Sequence, residues 1–329
     1  MNKLYNILAG HLGDKVKEYR KKWDKVGRDG YVSNYPLHLN FELNYGCNLK
    51  CDFCLYSIPL KDWGYDVDVS KKVRFKKYKE IIDEGVDNGL FSVEFNGINE
   101  PLLKKDICRY IEYIQEKNIL VSSLHTNAML LTEDLSSKLI DAGLKIIIFS
   151  VDAIKSETYN KIRIGSNYET VLKNINNFLD IRKEKSSVFP LVQMSFSKNK
   201  LNYTELTDYI KYWEPKVDAI STSNFCNSFM GSYKEEYAED KYRHGGFDMK
   251  KCYEPFQRLF ISNDGKVHPC CTFFGGENIV GDIYKDSILD IWNGDKLKKD
   301  RQLVNNGKGG SKTCQKCRQS MRGSLNVSV

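Results

Sequence analysis

The chain has 329 residues and a net charge of +7, with 41% hydrophobic and 12% aromatic residues. That is enough for one large core with a smaller unit attached, and it excludes disordered and collagen-like architectures. No run approaches the ~18 apolar residues of a membrane span, and no apolar segment near Met1 leads into a cleavage site, so the chain is expected to be cytoplasmic, with no membrane partner. Acidic and basic residues interleave, as over 15–24, which describes a solvated helical face; no nucleic-acid partner is expected.

In chain order, a basic helical extension occupies 1–36. Apolar runs bounded by loops then predict strands at about 37–43, 90–96, 119–125, 145–151, 188–196 and 218–223. Helical patterns lie between them, at about 73–86, 104–117, 132–142, 168–183 and 204–213. The first places Val73, Tyr78, Ile81, Ile82 and Val86 on one stripe; Thr132 reads as a helix start and Gly143 as a stop. Six strands alternating with helices make right-handed βαβ units on a parallel sheet, too few to close an eight-stranded barrel. The expected fold class is α/β: a partial (βα)6 TIM-like barrel over 37–225, with reactive groups at the C-terminal ends of its strands. A polar, glycine-containing linker follows at 226–251. From 252 to 329 the chain reads as a small α+β unit: a hairpin over 259–270 turning on Asn263-Asp264-Gly265, a helix near 287–304, and the pair Cys314 and Cys317. So little apolar content calls for a metal.

Ten cysteines without an export signal do not suggest a disulfide framework. Their two groups, one early and one late, suggest two metal centres. Cys47, Cys51 and Cys54 open the loop after the first strand. Three thiolates at this spacing can wrap one face of an iron–sulfur cubane and leave the fourth iron open to an external ligand. Structural zinc is the alternative; it would want a fourth ligand, and His38 and His125 lie elsewhere in the chain.

Cys47-x-x-x-Cys51-x-x-Cys54 in this position resembles the radical S-adenosylmethionine (SAM) superfamily. The segment from Phe95 to Pro101, with Gly97, Asn99 and Glu100, is similar to the family's GGEP element, which binds the methionine amino group; Asn99 stands where a glycine is usual. Asn127 closes the third strand, and Ser150 with Asp152 the fourth, the latter resembling a ribose-contacting position. Arg163 resembles an arginine that meets the methionine carboxylate, and Gln193 lies where the fifth strand flanks adenine. Taken singly, Glu100 before Pro101 also reads as a helix start, Asp152 as a helix cap and Arg163 as a surface ion-pair former. The resemblance implies a SAM-binding [4Fe–4S] cluster, reductive cleavage of SAM, and hydrogen abstraction by a 5′-deoxyadenosyl radical, with flavodoxin or ferredoxin as electron donor.

The late cysteines and the hairpin glycine Gly265 resemble the SPASM/twitch extension of that superfamily. This implies one auxiliary [4Fe–4S] cluster on Cys252, Cys270, Cys314 and Cys317, although four thiolates with a CxxC knuckle also suit zinc. A single-cluster extension resembles that of dehydrogenases acting on aminocyclitols. It implies oxidation of a carbinol in a sugar or cyclitol-type small molecule, with the auxiliary cluster accepting an electron. His125 and Cys226 are the candidate catalytic residues, each with a bland alternative as a buried, satisfied side chain. Competing readings are epimerisation with Cys226 or Cys271 as hydrogen donor, modification of a ribosomal peptide, and a non-enzymatic iron–sulfur sensor.

Overall fold

A computed structural model describes residues 2–28, 30–51, 53–57, 59–60, 67–224, 252–270, 278–306, 311, 314 and 327–328. Two helices come first, α1 (Lys3–Leu12) and α2 (Asp14–Lys25). The basic N-terminal helix expected from sequence is therefore broken. The break is Gly13, whose φ of 75° and ψ of −159° lie in a region that only glycine visits at low cost.

Six strands follow: β1 (His38–Phe41), β2 (Ser92–Phe95), β3 (Val121–Thr126), β4 (Ile146–Ser150), β5 (Leu191–Lys198) and β6 (Ala219–Asn224). Each lies parallel to the next. The connecting helices are α3 (Phe75–Asp87), α4 (Ile107–Glu116), α5 (Glu133–Asp141), α6 (Ser156–Ile162), α7 (Tyr168–Glu184) and α8 (Leu206–Trp213). The sequence rhythm misses α6, which is too short to show a stripe. Thr132 caps α5, its hydroxyl accepting from Leu135 N–H at 3.2 Å. Val86, expected on the buried stripe of α3, is 40% exposed, because Leu90 folds back onto Gly85 and fills that end of the face.

The sheet does not end at β1. Strand β7 (Arg258–Ile261) lies parallel to β1, with His38 opposite Arg258 and Phe41 opposite Ile261. The antiparallel strands β8 (Lys266–His268) and β9 (Gly281–Asp282) extend that edge, and β10 (Val327–Ser328) pairs antiparallel with β6 at the other. Among the described residues the result is an open sheet of ten strands, ordered β10-β6-β5-β4-β3-β2-β1-β7-β8-β9. The hairpin turns at Gly265 as expected, with φ of 86°. The single helix expected near 287–304 is two, Ile288–Asn293 and Asp295–Asn305, broken at the extended Gly294. The expected linker, 226–251, lies outside the described residues.

The two faces of the sheet have different chemistry. Outward residues such as Leu39, Phe41, Val93, Phe95, Ile147 and Phe149 are buried under the connecting helices in the main core. Each such side chain contributes roughly 1.5–3 kcal/mol by leaving water. On the inner face, Val121, Ile146, Leu191 and Ala219 pack on Leu4, Leu8, Val16 and Tyr19. Helices α1 and α2 thus close the N-terminal end of the half-barrel. Above them most inner positions turn polar, with Asn40 on β1, Glu94 on β2, Ser123 and His125 on β3 and Gln193 on β5, while Ile148 of β4 stays apolar between His125 and Gln193. Among the described residues no helix is long and apolar enough to cross a membrane.

Candidate active site

The loop leaving β1 is tied down from three sides. Glu100 N–H donates to the Gly46 carbonyl, Lys50 N–H to the Ile164 carbonyl, and Asn127 Nδ2 to Asn48 Oδ1, each at 2.9 Å. These partners follow β2, α6 and β3, so Cys47, Cys51 and Cys54 sit among Gly97, Asn99, Glu100, Asn127 and Arg163 at the C-terminal end of the sheet. Leu49 N–H donates to Cys47 Sγ at 3.4 Å; Asn127 Nδ2 lies 3.9 Å from the same sulfur and Arg163 Nη1 4.0 Å from Cys51 Sγ. Burial pushes the Cys47 thiol up to about 12 and the Cys54 thiol up to about 11, with the neighbouring cysteines adding to both. Three sulfurs that repel one another as thiolates, met by N–H and guanidinium donors, suit a cationic iron–sulfur group.

Glu100 serves as both helix start and cross-tie. Its buried carboxylate accepts Leu102 N–H at 3.1 Å, the Thr126 hydroxyl at 2.7 Å and Asn127 N–H at 2.9 Å. Burial raises its carboxyl, against the pull of these donors. Asn99 donates from Nδ2 to Asn44 Oδ1 at 3.3 Å, while its Oδ1 is buried without a hydrogen-bond partner among the described residues. That orphaned acceptor, beside the cysteine loop, suits the ammonium of an amino acid. The φ of Asn99 is not positive, so the glycine usual here is not required by the backbone. Gly97 is required by space: a β-carbon there would stand 2.9 Å from Glu42 Oε1.

Asp152 and Arg163 form one buried ion pair. Arg163 donates to Asp152 Oδ2 from Nε at 2.8 Å and Nη2 at 2.5 Å, and Ser197 N–H donates to Oδ1 at 2.7 Å. Asp152 is not the cap of the helix after it. Glu205 Oε2 serves that end, accepting from Ile154 and Lys155 N–H at 2.9 and 3.0 Å. Arg163 is likewise not a surface residue; Asp152 and the cysteine loop enclose it. Ser150 ends β4 opposite Ser195 of β5, and Gln193 Nε2 donates to Ser221 Oγ at 3.0 Å across the inner face.

Deeper in the half-barrel, His125 Nε2 stands 2.9 Å from Glu94 Oε1, and His38 Nε2 3.5 Å from Oε2. Burial works to raise the Glu94 carboxyl, but the pull of His125 and His38 outweighs it and holds the group well below the usual carboxylate range. Burial lowers His38, so its ring stays neutral. His125 is 29% exposed and lies one inward position below Asn127, about 7 Å along the strand direction.

Of the late cysteines, Cys252 precedes β7 across a short helix (Glu254–Gln257) and Cys270 follows β8 by two residues; both are half-buried. Cys314 is half-buried, its N–H donating to Ser311 Oγ at 3.0 Å. Cys226, Cys271 and Cys317 lie outside the described residues. His268 is fully buried, and burial lowers it to about 3.

Sequence reasoning passes over Glu42, Glu94 and the site role of His38, yet the signal is present. His38-Leu39-Asn40-Phe41-Glu42 and Ser92-Val93-Glu94-Phe95-Asn96 alternate strictly. A parallel strand covered on both faces is normally a continuous apolar run, so alternation here marks an inner face lining a cavity.

The radical SAM superfamily profile matches residues 41–193, and the profile of the SPASM iron–sulfur cluster-binding domain matches 252–318. The chain belongs to the radical SAM superfamily. Its cofactors are accordingly SAM, a SAM-binding [4Fe–4S] cluster and an auxiliary [4Fe–4S] cluster. Among curated relatives, it is 30% identical over 189 residues to a probable GTP 3′,8-cyclase of Methanocaldococcus jannaschii, an overlap of 57% of each chain. The chain spans about half the length of the first such relatives it matches. With the GTP 3′,8-cyclase of Campylobacter fetus it shares 27% over 311 residues, covering 83% of this chain and 93% of that one. Solved structures share the fold. Streptococcus suis SuiB bound to its precursor peptide SuiA has a TM-score of 0.68 at 17% identity, covering 94% of this chain and 74% of SuiB. BtrN in complex with AdoMet and 2-DOIA has a TM-score of 0.57 at 17% identity, covering 90% of this chain and 95% of BtrN.

Proposed function

We propose that this radical SAM enzyme oxidises a carbinol in a sugar or cyclitol-type small molecule. The observation that carries this reading is the His125–Glu94 contact of 2.9 Å on a polar inner face, one inward position below the SAM-binding end. Cys47, Cys51 and Cys54 would hold the first cluster, and Cys252, Cys270, Cys314 and Cys317 the auxiliary one. When bound, these groups supply a hydrogen-abstracting 5′-deoxyadenosyl radical and an acceptor for one further electron. The chain's own part is to orient the substrate and move its proton. Glu94 accepts from His125 Nε2–H, which leaves the lone pair on Nδ1; that atom takes the hydroxyl proton. Loss of one hydrogen atom, one proton and one electron converts the carbinol to a ketone. Ser123 and Ser195 offer hydroxyl groups on the inner face, which suit a neutral polyol. Asn99 Oδ1 would accept from the amino group of SAM, and the Asp152–Arg163 pair would close the site behind it.

A second reading comes from the relatives named GTP 3′,8-cyclase, which favour hydrogen abstraction from a nucleoside triphosphate. SuiB and BtrN share the fold with a peptide and a small-molecule ligand respectively, so the fold does not choose between these classes.

The test is anaerobic incubation of the two-cluster enzyme with SAM and reduced flavodoxin or ferredoxin. Aminocyclitols, hexoses, nucleotide sugars, GTP and peptides are offered in turn. The proposal expects 5′-deoxyadenosine above the uncoupled background with a polyol, and a product two mass units lighter. A product of unchanged mass in ordinary water that is one mass unit heavier in heavy water would instead mean epimerisation. Stimulation by GTP or peptide alone would overturn the proposal.

A further inference from the structure

We propose that Glu94 is a positioning residue that fixes the proton form of His125, and that a chain of polar contacts running back to Tyr19 of α2 fixes Glu94 in turn. The proposal rests on the reading of His125 as the base and deepens it, because it gives the N-terminal helices a part in the site.

The chain of contacts is continuous. Tyr19 Oη lies 2.9 Å from Ser92 Oγ, and Ser92 Oγ 2.6 Å from His38 Nδ1. His38 Nε2 faces Glu94 Oε2 at 3.5 Å, an electrostatic contact without hydrogen-bond geometry, and His125 Nε2 faces Oε1 at 2.9 Å. Asn96 Nδ2 also donates to Oε1, at 2.9 Å. An ionised carboxylate only accepts, so both imidazoles present Nε2–H to it. With its proton on Nε2, neutral His38 must accept at Nδ1, so the Ser92 hydroxyl donates there. Tyr19 then donates to Ser92 Oγ. Every proton in the chain points towards Glu94. Ser92 has a longer contact, 3.5 Å, with the Leu37 carbonyl, which does not compete with the 2.6 Å bond.

The charged and titratable surroundings agree with this orientation. Burial pushes the Tyr19 phenol far up, so it remains a donor at any working pH. Tyr5 of α1, also raised by burial, packs against Tyr19 with ring centroids 6.1 Å apart. Arg20 of α2 stacks over Tyr5 at 4.4 Å. Arg258 of β7 is matched by Glu254, its Nε 3.0 Å from the carboxylate. A carboxylate held in place by several donors is the arrangement that selects one histidine tautomer and strengthens its basicity.

The test is NMR of the ring nitrogens in the two-cluster enzyme labelled with 15N-histidine, without substrate, from pH 5 to 9. The His125 resonances are assigned by comparison with His125→Asn. The wild type should show neutral His125 protonated on Nε2. Glu94→Gln should weaken that preference and mix the Nδ1–H tautomer with the Nε2–H one, since an amide accepts less strongly and can turn its NH2 towards the ring. Ser92→Ala should move the His38 Nδ1 resonance towards its unbonded position. A wild-type His125 protonated on Nδ1 would overturn the proposal and needs no variant to fold. So would an unchanged Nε2–H tautomer in Glu94→Gln that binds wild-type iron, or an unmoved His38 Nδ1 in Ser92→Ala. No turnover enters these readings, so they stand or fall separately from the substrate panel.

Discussion

Gly97 and Glu42 interlock: the place where a β-carbon would sit on Gly97 is 2.9 Å from Glu42 Oε1, and that same oxygen accepts Ile98 N–H at 3.2 Å. The loop that resembles the methionine-binding element is thus seated on a buried carboxyl from the end of β1. Gly97→Ala should displace one or the other. The expected outcome is a loss of roughly 1–3 kcal/mol in denaturant unfolding and weaker SAM binding by equilibrium dialysis.

Glu42 also accepts from the main chain of Asn263 in the β7–β8 turn, and burial pushes its carboxyl up to about 8, with Asp264 adding to the rise. A raised folded value means that the native chain keeps a proton the unfolded chain releases near the ordinary carboxyl range of about 4.3. The stabilisation is whole below that range and is lost as pH rises through about 8. Glu42→Gln keeps an acceptor oxygen and cannot titrate. Its Tm relative to wild type should therefore climb between pH 5 and 9; a constant difference would contradict the assignment.

Asp152 is 1% exposed in its side chain and pairs with Arg163 at 13%. Asp152→Asn leaves a guanidinium enclosed without a counter-charge, which typically costs about 3–5 kcal/mol. Urea unfolding of anaerobic protein should show that loss, and the double variant Asp152→Asn/Arg163→Gln should recover part of it.

Leu8 is fully buried between α1 and the inner face of the sheet. Leu8→Ala should cost about 2–5 kcal/mol in the same unfolding measurement. A surface substitution such as Lys15→Ala should stay within about 0.5 kcal/mol.

Much of this architecture is legible in the residues. The six parallel strands are marked by apolar runs and their helices by stripes such as Tyr78, Ile81 and Ile82, because period and burial coincide there. The pairing of β7 with β1 leaves no local trace, since His38 and Arg258 meet only in the folded chain. The cofactor-site residues are marked singly by spacing, but their mutual ties are not: Asp152 and Arg163 neutralise one another, and Glu100 spends its carboxylate on Thr126, Asn127 and Leu102. Glu94 lies inside β2 and Glu42 directly follows β1, where a propensity reading expects no charge and only the alternation of faces reveals a lined cavity.

The most direct test is Mössbauer spectroscopy of the 57Fe-reconstituted Cys252→Ala/Cys270→Ala variant, in which only the cluster on Cys47, Cys51 and Cys54 should remain. The account predicts about 4 Fe per chain as a single cubane, with one iron site altered when SAM is added. A spectrum without a cubane, or one that SAM leaves unchanged, would contradict it.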